Sequence, residues 1–212
     1  MKSIAIGAHL LRDDVEPLAD AVPAGELFLS TVTVEDDHPL GDRELLVRVA
    51  GIRAKLLEVA TFVALRYGFT FTSAEQAQSK TAAHQGRWKR LLTEHREHVE
   101  VTLKVAASTQ VARPDRQDFT SGAEYLRALH AATNAATIDP SFRDAAERLI
   151  VPLSLRHRWI HRDEKSVELA ALIERGKLEQ VRNAGEQLQE TSVPFLLSGP
   201  WPLEVFADDD HQ

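Results

Sequence analysis

The chain has 212 residues and a mass of 23.6 kDa, enough for one large domain or two small ones with a real core. With 25 Lys and Arg against 32 Asp and Glu, its formal charge is -7, which gives nucleic acid no general electrostatic reason to bind. Cysteine is absent, which removes disulfides, thiolate nucleophiles and cysteine-ligated zinc. No apolar run approaches the roughly 20 residues of a membrane span, and the start has no signal-peptide pattern. The expectation is a cytoplasmic protein with neither nucleic-acid nor membrane partners.

In chain order, "SIAIGAHL" and "ELFLSTVTVEDD" read as strands, with "RDDVEPLADAV" between them a short helix at most. From Asp42 the period changes. Leu45, Val49, Ile52, Leu56 and Val59 recur at steps of four and three, one helix with a buried face. "TFVALRYG" reads as a buried strand closed by Gly68. Ser73 and Gln76 have capping-box spacing, and the stripe Ala74, Ala77, Thr81, His84, Trp88, Leu91, His95 predicts one long helix over 73–98 that joins two lobes.

"VEVTLKVA" alternates strictly and is the clearest strand. Ser121 with Glu124, then Asp139 with Pro140, mark two helix starts. "LSLRHRWI" and "SVELAALIE" read as strands, "GKLEQVRNAGEQLQE" as a helix and "VPFLLSG" as the closing strand. From Val99 the order is β-α-(α)-β-β-α-β, a split βαβ pattern of the ferredoxin-like kind with one extra helix. The expected fold class is therefore α+β, with an N-terminal α/β lobe over 1–72, a connecting helix over 73–98, a ferredoxin-like domain over 99–206 and an acidic tail over 207–212.

Sites of chemistry are scarce. The glycines form neither a dinucleotide fingerprint nor a phosphate loop, and no GxSxG elbow exists. His95 and His98 lack a third ligand nearby, so polar residues at a helix end are the preferred reading over zinc. Arg156, His157, Arg158, His161 and Arg162 would hold an anion if they converged, which supports an alternative reading as a small anion-binding domain or enzyme. A basic strand face paired with acidic residues is preferred. Glu35, Asp36 and Asp37, like Asp208, Asp209 and Asp210, read as solvated ends. Arg66, ending an apolar run, predicts a nearby carboxylate or carbonyl.

The most unusual stretch is "LLSGPWPLEVFA", 196–207. Pro200 and Pro202 fix their own φ and push Gly199 and Trp201 toward extended backbone, so the ribbon is largely ordered in advance. The preferred reading has Trp201 and Phe206 clamp it onto the body; the alternative has an exposed indole recognise a partner.

Three stretches together resemble the gas vesicle proteins of the GvpL/GvpF family. "ATFVALRYGFTFTSAEQAQ" is similar to the family's strand-plus-helix segment with its leucine-proline-x-arginine-phenylalanine-glycine core, "FTSGAEYLRAL" to its glycine-x-x-tyrosine-leucine helix start, and "LSGPWPLEVF" to its closing glycine-proline-tryptophan-proline signature. Ala64 stands for the usual proline, Tyr67 for phenylalanine, and Leu203 and Glu204 for proline and tyrosine. The resemblance implies a non-enzymatic accessory protein of gas vesicle assembly, without cofactor or metal, cytoplasmic and gas vesicle associated. Its implied partners are the hydrophobic shell protein and other accessory proteins. Arg66, Tyr67, Gly68, Tyr125, Gly199, Pro200, Trp201, Pro202 and Phe206 are the implied structural or partner-binding residues.

Overall fold

The computed structural model describes residues 1–10, 18–107, 114–134, 138–163 and 165–207. The chain divides into two compact units, Met1–Val99 together with Trp201–Gln212, and Glu100–Pro200. The closing segment from Trp201 onward thus counts with the first unit, not with the domain that precedes it in sequence.

In the first unit, strands β1 (Lys2–His9), β2 (Asp20–Ala24), β3 (Leu27–Val34) and β4 (Val63–Ala64) lie in the order β2-β3-β1-β4, and β5 (Thr70–Phe71) also pairs with β1. β1 and β3 run antiparallel from Lys2 opposite Val34 to His9 opposite Phe28. Where the sequence suggested a short helix at most over 12–22, its described part, 18–22, leads into the strand Asp20–Ala24. The cause lies downstream: Gly25, at φ +67, makes a two-residue loop with Glu26 that folds β2 back onto β3. Pro23 is tolerated because β2 is an edge. The expected "TFVALRYG" strand shrinks to two residues, although Phe62, Val63 and Leu65 are all buried. Gly7 makes room for this segment, since a Cβ there would sit 2.3 Å from the Phe62 ring.

Helix α1 (Arg43–Val59) starts at Asp42, whose carboxylate accepts from the Leu45 amide at 2.9 Å. Leu45, Val49 and Leu56 are buried as expected, while Val59 is exposed. The long joining helix is not continuous. It is α2 (Ala74–Thr81) and α3 (Gln85–Glu94), separated by a turn in which the His84 amide donates to the Thr81 carbonyl three residues back. Thr81 turns its own hydroxyl onto the Ala77 carbonyl, and Gln85 reaches back to Thr81.

The second unit holds β6 (His98–Ala106), which starts two residues before the boundary, then α4 (Gly122–Asn134), α5 (Pro140–Leu149), β7 (Ser154–Asp163), β8 (Ser166–Glu174), α6 (Leu178–Leu188) and β9 (Phe195–Trp201). The strand order is β7-β8-β6-β9. Its core joins Val101, Leu103 and Val105 of β6 to Leu169 and Ile173 of β8, with Phe142 of α5 and Leu188 of α6 among the others. Asp139 caps α5 by accepting from Ser141 and Phe142 amides at 2.9 and 3.2 Å. The molecule is a mixed α/β protein with two sheets and, among the described residues, six α-helices. None of these helices is long and apolar enough to cross a membrane.

Candidate partner-binding surface

β9 is an edge strand, with β6 on one side and, among the described residues, no strand on the other. Phe195 and Leu197 turn toward the core, and Leu196 between them is 61% exposed. α6 lies close against the strand because it has Gly185 there: a Cβ would come within 2.5 Å of Leu197 Cδ2. Between helix and strand runs an open groove of about 530 Å³, lined by Arg182, Glu186 and Gln189 on the helix and by Val193, Phe195 and Leu196 on the other side. An apolar wall with a charged rim suits an apolar segment of another protein.

Gly199 has φ +132, and a Cβ there would meet the Glu100 carbonyl at 3.0 Å and Val101 Cα at 3.3 Å. Only glycine lets β9 approach β6 this closely in that conformation. The Gly199–Pro200 bond is cis. Trp201, read from the sequence as a buried clamp, is 46% exposed. The clamp is formed by the residues after it. Leu203 is fully buried, its amide donating to the Phe62 carbonyl at 2.9 Å and its carbonyl accepting from the Ala64 amide at 3.1 Å. Pro202 is buried too, and Phe206 retains 3% of its surface. The sequence signal for Leu203 was present but read only as a departure from a motif.

The remaining predicted residues are divided between the units. Arg66 is exposed, and its side chain has neither a hydrogen bond nor an ion pair among the described residues. The buried tie is made by Arg53, which donates to the carbonyls of Leu65 at 2.5 Å and Ile6 at 3.3 Å. Burial pulls its pKa down, against the opposing pull of the Glu204 carboxylate. Arg53 follows Ile52 on the inner side of α1, a position that the helical period alone would have flagged. The Tyr67 hydroxyl donates to the Leu40 carbonyl at 2.6 Å, and Gly68 turns the chain at φ +93. Tyr125, on α4 in the second unit, meets the Phe119 ring edge-on at 5.9 Å and lies under the Arg116 guanidinium.

The basic strand does not gather its charges. On β7, Arg156 and Arg158 stand opposite Leu172 and Ala170, whereas His157 and His161 stand opposite Ala171 and Val167 on the other face. Arg162 pairs with Glu168 at 2.7 Å. His95 is buried with the His98 ring edge-on at 5.5 Å, and no group of three or more metal-ligating side chains occurs among the described residues. Asp36 pairs with the N-terminal amine at 2.9 Å, while Asp208, Asp209 and Asp210 lie outside the described residues. A histidine that the sequence reading passed over, His9, is buried in β1. Its Nδ1–H donates to the Leu10 carbonyl at 3.1 Å, and its Nε2 accepts from the Ser30 hydroxyl at 2.8 Å. Burial lowers its pKa, so the ring is neutral and structural.

Fold and surface together define a two-unit α/β protein with an open edge strand running directly into an anchored closing segment. Over residues 18–207 the chain matches the family model described as gas vesicle synthesis protein GvpL/GvpF, and it belongs to that family. Membership implies a role in gas vesicle assembly. Its fold is similar to the crystal structure of GvpF from Microcystis aeruginosa, with a TM-score of 0.68 at 10% identity over 97% of this chain and 98% of that one. It is equally similar to GvpF from Anabaena sp. PCC7120, with a TM-score of 0.68 at 12% identity over 99% of both chains. No sequence among curated proteins matches the chain.

Proposed function

We propose that this protein is a non-enzymatic accessory factor that acts in the cytoplasm and binds the hydrophobic gas vesicle shell protein, other accessory proteins, or both, keeping them soluble during assembly. The observation that carries this reading is β9, an edge strand that keeps Leu196 exposed at an open groove and ends at the exposed Trp201. Unpaired strand edges and exposed aromatic residues recruit extended apolar segments. The strand order β7-β8-β6-β9 supports reading the second unit as ferredoxin-like, with α5 as the additional helix. The test is capture of the shell subunit from its own host by the full chain. Leu196→Glu and Trp201→Ala should each reduce capture at unchanged melting temperature. Undiminished capture by both variants would remove β9 from the proposal, and no capture by the unmodified chain would remove the proposal itself.

A further inference from the structure

A helix lying on a sheet normally carries charge along the line opposite its core. α1 departs from this. Its core line is Leu45, Val49 and Leu56. At about 100° per residue, the opposite line is Arg43, Val47, Ala50, Gly51, Ala54 and Glu58, all exposed. The middle of that line is apolar, with Val47 65% exposed and Leu46 beside it 42% exposed, while Arg48 and Lys55 are on the flank. Gly51 adds a second observation. Glycine inside a helix costs about 1 kcal/mol relative to alanine, and nothing among the described residues calls for it, since a Cβ there meets no atom within 4 Å. Small side chains here suit a close neighbour that the described residues do not supply.

We infer that this face pairs with the same face of a second copy of the chain, as an antiparallel helix pair whose two-fold axis passes between Ala50 and Gly51. The charges at the ends select this occupant. Antiparallel pairing sets Arg43 against Glu58 of the second copy, Val47 against Ala54 and Ala50 against Gly51, and symmetry repeats each contact. Parallel pairing would set like charges together. Small residues at the crossing let the two backbones approach closely. One helix face is well below the roughly 1,200–2,000 Å² of a stable interface, so the dimer is weak and concentration-dependent. This inference does not depend on binding at β9.

The experiment is sedimentation velocity on the full chain from micromolar to millimolar concentration. A dimer should form with rising concentration, and Val47→Glu should leave a monomer of unchanged melting temperature. Arg43→Glu and Glu58→Arg should each weaken association roughly tenfold, and the double reversal should restore it. A monomer at every concentration would overturn the inference. So would a dimer indifferent to Val47→Glu, or a double reversal no tighter than its parents.

Discussion

Two adjoining pieces of the chain, 195–201 and 202–207, have similar apolar content and meet solvent in opposite ways. In the first, Leu196 and Trp201 stand in water; in the second, Leu203 and Phe206 are buried. The difference shows what holds each piece. The first piece is held by Phe195 and Leu197 on the core of the second unit, which leaves Leu196 outward, whereas the second piece is anchored by both backbone hydrogen bonds and burial.

Breaking the anchor should have the largest effect. Phe206→Ala is expected to cost about 3–5 kcal/mol, read as a fall in the urea midpoint. Gly199→Val, which places a branched side chain at φ +132 against the Glu100 carbonyl, should cost about 1–3 kcal/mol on the display side. Arg53→Met leaves the Leu65 carbonyl without its donor and should cost about 1–3 kcal/mol. His9 sharpens the contrast through pH. Its folded-state pKa lies below the ordinary histidine value of about 6.5, so below that pH the unfolded chain takes up the proton first and stability falls with acidification. Above that pH, the contribution of His9 is constant. His9→Gln should flatten the slope of urea midpoint against pH between 7 and 5. Smallest of all, Trp201→Ala and Leu196→Glu should change stability by no more than about 0.5 kcal/mol while losing partner capture. A loss of several kcal/mol for Trp201→Ala would erase the contrast between the two pieces.

Periodic elements were legible from sequence for a physical reason: α1, β6, α5 and α6 each bury one regular face, and Ser73, Ser121 and Asp139 cap where their spacing says. The break between α2 and α3 was not. The turn at His84 keeps Ala77, Thr81 and Trp88 in register, and the only glycine nearby, Gly86, lies beyond it. β2 was missed because its strand character comes from pairing with β3. For the candidate surface, the sequence identified the right segment and one of its two expected anchors, since Phe206 is buried while Trp201 is exposed and Leu203 takes its place. An indole flanked by prolines resembles a clamp in one dimension, but whether it points inward depends on the path of the edge strand. The groove beside Leu196 depends on α6 meeting Leu197 of β9 at Gly185, a tertiary approach with no local signature.

Because Trp201–Gln212 count with Met1–Val99 while Glu100–Pro200 form a unit of their own, the first unit is finished by a segment synthesised after the whole of the second. On the ribosome, the inserted unit has all its strands before the N-terminal one receives Leu203 and Phe206. Assembly of the N-terminal lobe is thereby tied to synthesis of the second unit, and a product terminated before Leu203 would leave Phe62 and Val63 without their covering segment.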